Sequence, residues 1–268
     1  MQRAQDAQRH AGHGPPRSGS PRAERAHPSR ELLARAARDD EALLALRHAG
    51  VIRGLVFDFD GLILETESPA FQAWAELFQE HGVSLELDWW FDYIGRESGW
   101  IDVHGHLETL LGHELDRAAI KARRDARKEE LIHALDVIVG VREWVMEAKS
   151  RGLRLGIASS SPRSWVCGHL ERLAFMEHWD AVVCREDVAR AKPEPDLFLR
   201  AVERLGISPG EAIAIEDSPN GIRAAKAAGL ACIAVPNQLT RQRDLGEADL
   251  LLESLSDLPL ADALARFA

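Results

Sequence analysis

The chain has 268 residues, of which 46% are hydrophobic and 28% are charged, as in an ordinary soluble protein with a sizeable core. Its 43 acidic residues outnumber its 33 Lys and Arg, and the formal net charge of −10 argues against general affinity for nucleic acid. No apolar run approaches the roughly 18 residues that span a bilayer, and a signal-peptide apolar region is missing. Three widely spaced cysteines, Cys167, Cys184 and Cys232, fit reduced thiols. We therefore expect a cytoplasmic protein without nucleic-acid or membrane partners.

The first fifty residues differ in composition from the rest of the chain. Residues 1–30 are rich in Arg, His, Gln, Pro, Gly and Ser, so they have little to bury and disorder is expected. Residues 31–49 place leucines among charges and could form one amphipathic helix. An interaction arm, a targeting segment and a dispensable extension all remain open readings of this tail.

The stretch from Leu55 to Glu67 organises the remaining chain. Residues 51–57 are mostly apolar, β-branched or aromatic, which predicts a buried strand of a parallel sheet. Asp58 and Asp60 follow at its carboxyl end, where active sites of open α/β sheets lie. They are two residues apart, so their side chains share one side, and Gly61 then permits a sharp turn. Two close carboxylates favour a bound cation, and Mg²⁺ is the natural choice beside a phosphate.

Residues 68–138 have a helical pattern. Apolar residues recur at three and four positions between Phe71 and Phe78 and predict a helix that Gly82 ends. Further helices are predicted over 101–111 and 116–135. The charged run 121–130 is interpreted as a solvated face, and His104 and His106 as surface histidines.

After Gly140 the chain alternates between helices of about ten residues and short apolar strands. This alternation predicts a parallel sheet covered by helices on both faces, an α/β fold. The predicted helices are 143–150, 162–173, 197–205 and 219–228, and the predicted strands are 153–158, 181–184, 212–215 and 232–235.

Three further polar segments stand at or near strand ends. A serine run before a proline suits a helix N-terminus, which binds anions. A lysine in a backbone held extended by two prolines suits a point charge aimed into a site, and a second pair of acids could complete a Mg²⁺ site. These segments are Ser159-Ser160-Ser161-Pro162, Lys192-Pro193-Glu194-Pro195-Asp196 and Glu216-Asp217-Ser218-Pro219.

Together with the run from Asp58 to Glu67, these segments resemble the four motifs of the haloacid dehalogenase-like phosphohydrolases. The likeness is to the branch of β-phosphoglucomutase-like and phosphoglycolate-phosphatase-like enzymes, and it runs from residue 51 to the C-terminus. It implies a Rossmann-like three-layer α/β core, formed by residues 51–67 and 138–268. It also implies a small helical cap inserted at residues 68–137, with residues 1–50 as an extension outside the family pattern.

The resemblance assigns expected roles. Asp58 would be the nucleophile, Asp60 the general acid and base, and Lys192 the group that steadies charge. The expected phosphate contacts are Ser159, Ser160, Lys192 and Gly61, and the expected Mg²⁺ site comprises Asp58, Asp60, Glu216 and Asp217. Dehalogenases of the family lack an acid at the position of Asp60, so phosphoryl transfer is favoured over carbon–halogen cleavage.

The leading hypothesis is a Mg²⁺-dependent phosphatase that acts on a small phosphorylated metabolite through an aspartyl-phosphate. A β-phosphoglucomutase-like mutase is an alternative, although Ala70 and Ser98 stand where sugar phosphomutases of this branch carry His and Arg. Glu65 replaces the more usual Asp. A third alternative, which is not an enzyme, is a non-catalytic binding or regulatory protein. The four intact motifs argue against it.

Substrate choice is expected in the cap, near Gly95. Arg96, Glu97 and Trp100 are the candidates for contacting the leaving group, whereas the pair Trp89 and Trp90 could equally be cap core. A monomer is expected, with a dimer as the alternative.

Overall fold

The computed structural model describes residues 51–94 and 102–267. Its strands are β1 (Gly54–Phe57), β2 (Arg154–Ala158), β3 (Ala181–Val183), β4 (Ala212–Glu216), β5 (Ala231–Ala234) and β6 (Leu250–Leu251). Its helices are α1 (Glu67–Glu80), α2 (Leu87–Ile94), α3 (Val103–Leu111), α4 (Arg117–His133), α5 (Val141–Ser150), α6 (Arg163–Arg172), α7 (Asp196–Leu205), α8 (Pro219–Ala228) and α9 (Leu260–Leu264).

The six strands form one sheet in the order β3-β2-β1-β4-β5-β6, with every neighbouring pair parallel. Strand β1 lies inside the sheet, and its last residue, Phe57, is in register with Ile157 of β2 and Ile215 of β4. All three strands therefore end at one edge, and the residues that follow them meet there.

Alternate side chains of the central strands enter two different apolar layers. Leu55 and Phe57 pack in a cluster that includes residues of α5, α6 and α9. Val56 lies in a second cluster, with residues of α7 and α8. The sheet is thus covered on both faces, as strands buried on both sides require. This arrangement confirms the predicted three-layer α/β fold.

The helices between β1 and α5 have an apolar cluster of their own. Trp74 and Phe78 of α1 are buried in it with Leu107 of α3 and Ile120 of α4. Arg127 of α4 also binds Glu76 of α1, with a 2.7 Å contact between Nε and Oε2. This block confirms the helical insertion between the first and second motifs, while its assigned bounds, 68–137, stay a prediction.

Several element boundaries differ from the predicted ones. Helix α6 begins at Arg163 because Pro162 has an extended backbone, and the Ser161 hydroxyl binds Asp60 instead of capping the helix. Asp196 is the first residue of α7 rather than its cap, and its carboxylate binds Arg190. Helix α2 and the two-residue strand β6 were not predicted.

Other predictions concern residues that the structure describes only in part. All three cysteines are free; Cys184 and Cys232 are buried and Cys167 is half-buried. Across the described residues, the helices are too short or too polar to cross a membrane. Residues 1–50, with the possible helix 31–49, lie outside the described residues, as do Arg96, Glu97, Ser98 and Trp100.

Candidate active site

Three buried carboxylates meet where β1 and β4 end. Asp58 follows β1, Glu216 ends β4 and Asp217 comes next, and one oxygen from each lies within 4.8 Å of the others. The two strand ends are tied together because the Asp58 amide donates to the Ile215 carbonyl at 2.9 Å. Burial raises the pKa of Asp58 to about 7, although the positive charge of Lys192 acts to lower it. The cluster is therefore electrostatically costly without cations.

Lys192 supplies one cation. Its Nζ contacts the Asp58 carboxylate and lies 2.6 Å from Glu216 Oε1, and its side chain is only 6% exposed. Burial alone would lower the pKa of Lys192, but the Asp58 and Glu216 carboxylates raise it above its usual range. The lysine is thus a fixed positive charge at the head of the site.

Asp217 is oriented by a residue that sequence reasoning did not identify. The Asn237 side chain donates from Nδ2 to Asp217 Oδ2 at 2.7 Å. Its own Oδ1 accepts from the amides of Leu239 and Thr240 at 2.8 and 2.9 Å, so the orientation of its amide group is fixed. Asn237 is 8% exposed. An isolated Asn after β5 carries no periodic or motif signal.

Two glycines make room for these carboxylates. A Cβ on Gly221 of α8 would lie 1.9 Å from the Glu216 carboxyl carbon, which no side chain could tolerate. A Cβ on Gly61, whose φ is +80°, would lie 2.6 Å from both Asp217 Oδ2 and Asn237 Nδ2. Gly61 therefore lies against the carboxylate cluster, where only a residue without a side chain fits.

Asp60 accepts three side-chain hydrogen bonds of 2.9 Å or less and a fourth, from Ser159 Oγ to Oδ2, at 3.5 Å. Thr66 Oγ1 and Trp165 Nε1 each donate to Oδ1 at 2.9 Å, and Ser161 Oγ donates to Oδ2 at 2.6 Å. Three of these four donors, Ser159, Ser161 and Trp165, come from the segment after β2. Trp165 was not predicted as a site residue because it reads as one apolar position of α6.

Ser159 and Ser160 occupy different environments. Ser159 is 1% exposed, and its Oγ accepts from the Ser161 amide at 3.0 Å. Ser160 is exposed and lines, with Ser161, the large cavity beside Asp58 and Asp60. Ser160 therefore faces the space in which a ligand would lie, and Ser159 supports the turn beneath it.

The donor set fits a hard divalent cation. Asp58, Glu216 and Asp217 offer only carboxylate oxygens, which Mg²⁺ prefers. They are buried and close together, and burial raises the pKa of Asp217 well above its ordinary value, with the Asp58 charge adding to the effect. A bound cation would relieve this repulsion, so the residues present fit a Mg²⁺ site.

Comparison with known proteins agrees with this geometry. The family model described as haloacid dehalogenase-like hydrolase matches residues 55–235. The chain belongs to the haloacid dehalogenase-like hydrolase family. The Bacillus subtilis protein YhcW is 38% identical over 211 residues, which cover 79% of this chain and 96% of YhcW.

Two further relatives of this haloacid dehalogenase-like chain have names that mention a phosphorylated substrate or a bound phosphate. The validoxylamine A 7′-phosphate phosphatase of Streptomyces hygroscopicus is 31% identical over 206 residues, or 76% of this chain and 94% of that protein. The crystal structure of CbbY from Rhodobacter sphaeroides in complex with phosphate is 30% identical, with a TM-score of 0.60. It covers 78% of this chain and 96% of CbbY.

The haloacid dehalogenase-like site opens into a cavity of about 1180 Å³. Its walls carry Asp58, Asp60 and Lys192 together with helical-insertion residues, namely Glu67, Ala70, Trp74, Trp90, Arg124 and Lys128. The interpretation of residues 121–130 as a solvated face is therefore wrong for Arg124 and Lys128. Charge spacing alone could not reveal which side of α4 faces the cavity.

The aromatic and histidine residues of the insertion pack against each other. Trp90 is 1% exposed and belongs to the apolar cluster, although it also reaches the cavity wall. The His106 ring stacks on Trp89 with 4.0 Å between centroids, and the His104 ring meets Trp74 edge-on at 4.9 Å. The two histidines are half-buried packing residues and not the surface residues predicted.

Proposed function

We propose that this protein is a Mg²⁺-dependent phosphatase that hydrolyses a small phosphorylated metabolite. The observation that carries the proposal is the Asp58 carboxylate, paired with Lys192 and adjoining Asp217, at the base of a cavity that also contains Asp60. A nucleophile, a fixed cation and a second acid are the groups that phosphoryl transfer needs. The names of the phosphatase from Streptomyces and of the phosphate complex of CbbY support the same class of substrate.

In the first step, a carboxylate oxygen of Asp58 attacks phosphorus in line and the bond from phosphorus to the ester oxygen breaks. Asp60 gives its proton to the departing oxygen, and an aspartyl-phosphate remains on Asp58. In the second step, water attacks this phosphorus while Asp60 accepts its proton. Phosphate leaves and Asp58 is restored as a carboxylate.

Positive charge around the phosphate supports both steps. Lys192 and the Ser160 region would contact the phosphate oxygens, with Ser159 and Gly61 shaping the backbone around them. Asp58, the Asp60 main chain and Asp217 would hold Mg²⁺, with Glu216 as a further or supporting ligand. Once bound, Mg²⁺ supplies charge that offsets the phosphate and carboxylate oxygens.

Hydrolysis is favoured over the mutase alternative by the part of the cavity wall that α1 forms. Ala70 lies there, and its methyl group cannot hold or move a proton for a second sugar hydroxyl. We further propose that residues 68–137 act as the cap that selects the leaving group. Every group in the proposed mechanism comes from one copy of the chain, so a monomer would suffice for both steps, with a dimer as the alternative.

The test is phosphate release in the presence of Mg²⁺ from a panel of sugar phosphates, phosphoglycolate, nucleotides and an aryl phosphate. The Asp58→Asn variant should be inactive while keeping its circular dichroism spectrum. The matched control is Asp257→Asn at an exposed position, which should retain activity. Phosphate release by Asp58→Asn would overturn the mechanism. If the folded wild type released no phosphate from any compound of the panel, a mutase or a non-catalytic protein would be favoured.

A further inference from the structure

Two cations of the helical insertion face the cavity from one side of α4. Arg124 and Lys128 are four residues apart and therefore project from the same face of the helix. Both line the cavity that also contains Asp58 and Asp60. Their charged groups thus confront the space above the reacting phosphate, where the leaving group must lie.

An aromatic ring from a different helix positions each cation. Lys128 Nζ lies 4.1 Å from the ring centroid of Trp165 in α6. Arg124 Cζ lies 5.3 Å from the ring centroid of Trp74 in α1. Contacts of this kind stabilise a cation without neutralising it. The two charges are held in place but remain available to a ligand.

Other cations of α4 are paired with carboxylates. Lys121 binds Asp125, Arg123 binds Glu80, and Arg127 binds Glu76 and Glu130. Two of these pairs join α4 to α1, and all three cations are occupied by carboxylates.

Arg124 and Lys128 are less completely paired. Among the described residues, Arg124 forms a salt bridge with its neighbour Asp125 alone, and its buried Nε has no hydrogen-bond partner there. Lys128 forms no salt bridge with a carboxylate of the described residues. The charges of Asp60 and Glu67 act to raise its pKa, but burial has the larger effect and lowers it. Buried cationic donors are satisfied by a protein group, by water or by a ligand, so these two cations can bind an anion that enters the cavity.

A third cation reaches the same cavity from the segment after β5. One terminal nitrogen of Arg243 is buried without a hydrogen-bond partner in the part of the chain that the structure describes, and the side chain lines the cavity. Leu239 of this segment packs in the cluster that contains Trp74, the ring beneath Arg124. Arg243 therefore approaches the cavity beside the helical insertion.

We propose that the leaving group carries a second anionic group, a carboxylate or a second phosphate, which Arg124 and Lys128 bind with help from Arg243. This assignment rests on the proposed phosphatase function and names its class of substrate. Lys192 already serves the transferred phosphate, so the cations of α4 would serve a different anion. On a chain of net charge −10, a local positive wall is needed to admit a substrate with two anionic groups.

The first experiment compares kcat/KM for substrate pairs that differ by one anionic group. The pairs are phosphoglycolate with 2-hydroxyethyl phosphate, and fructose 1,6-bisphosphate with fructose 6-phosphate. Wild type should prefer the doubly anionic member of at least one pair. Arg124→Met and Lys128→Met should reduce that preference about tenfold, as expected for loss of a charge-assisted contact. Arg123→Met, at a cation that Glu80 occupies, is the matched control and should keep the preference.

The second experiment separates this proposal from the proposed function. Calorimetry would measure binding of fructose 1,6-bisphosphate and fructose 6-phosphate to the Asp58→Asn variant, with and without Lys128→Met. A bisphosphate preference that Lys128→Met removes would support the anion site even if wild type releases no phosphate. Equal affinities of Asp58→Asn for the two sugars would overturn the anion site. Equal losses of kcat/KM on both members of a substrate pair in Arg124→Met or Lys128→Met would do the same, and the phosphatase proposal would stand if wild type releases phosphate.

Discussion

Asn237 donates a 2.7 Å hydrogen bond to Asp217, which makes the orientation of a proposed Mg²⁺ ligand depend on a residue twenty positions away. Two backbone amides fix the Asn237 side chain, so it cannot turn to another partner. We expect Asn237→Ala to weaken Mg²⁺ binding by roughly 10- to 100-fold, since a hydrogen bond to a charged group contributes about 1.5–3 kcal/mol. Calorimetric titration with Mg²⁺ would measure this. The exposed neighbour Gln238 provides the control Gln238→Ala, and equal Mg²⁺ affinities in the two variants would contradict the role given to Asn237.

Lys192 is expected to stabilise the fold as well as the reaction. In Lys192→Met, the carboxylates of Asp58, Glu216 and Asp217 would lose their buried cation, which costs about 3–5 kcal/mol when one partner of a buried pair is removed. Mg²⁺ should therefore raise the melting temperature of this variant more than that of wild type. The measurement is thermal unfolding with EDTA or with Mg²⁺.

A second buried ion pair supplies the control for Lys192→Met. Lys226 binds the largely buried Asp249 at 2.6 Å, away from the cavity. Lys226→Met should also lower the melting temperature, but Mg²⁺ should give it no extra stabilisation. The same Mg²⁺ response in both variants would show that the carboxylate cluster does not bind the metal.

Trp165 is expected to orient Asp60 through its indole N–H, which donates to Oδ1 at 2.9 Å. Trp165→Phe removes this donor but keeps an aromatic ring below Lys128. We expect kcat to fall about tenfold, because a hydrogen bond to a carboxylate is lost, while KM changes little. Trp179→Phe is the control, since Trp179 Nε1 is buried without a hydrogen-bond partner among the described residues. A kcat that stays at the wild-type level in Trp165→Phe would remove Trp165 from the site.

Glu67 should make the stability of the metal-free protein depend on pH. Burial, with the nearby charges of Asp60 and Glu65, raises the pKa of Glu67 from 4.5 to about 7. The folded state therefore holds this proton more tightly than the unfolded state, so the contribution to stability is full below 4.5 and is lost as the pH rises through about 7. Glu67→Gln should gain stability over wild type at about pH 8 and not at about pH 5.

Urea unfolding in EDTA at both pH values would measure the effect of Glu67→Gln. The exposed Glu86 gives the control Glu86→Gln, for which the difference from wild type should not change with pH. An identical pH profile for Glu67→Gln and wild type would mean that Glu67 ionises as it does in water.

The parallel sheet and its motif-bearing ends could be predicted because their signals are local. Residues 54–57 and 212–216 are short apolar runs closed by acids, and such runs at regular spacing indicate strands of a parallel sheet. Helix α8 was predicted at its observed ends, 219–228, since a proline begins it and a glycine follows it. The predicted cap at Asp196 failed because its carboxylate binds Arg190 instead of the helix N-terminus.

The contributions of Asn237, Trp165, Arg124 and Lys128 to the cavity could not be predicted in the same way. Each depends on contacts between elements far apart in sequence. Trp165 meets Asp60 across 105 positions, and Asn237 meets Asp217 across 20. Helical periodicity shows that α4 has a polar face, but not which of its cations face the cavity rather than bulk solvent.

The hydrogen bond from the Asp58 amide to the Ile215 carbonyl continues the pairing of β1 with β4 beyond the last paired residues, Phe57 and Ile215. The proposed nucleophile, Asp58, is therefore attached directly to the two central strands of the sheet. Exposing the Asp58 amide requires breaking this bond between two central strands, so its hydrogen exchange should be slower than that of amides in the loops. The base of the site is therefore built on the sheet itself.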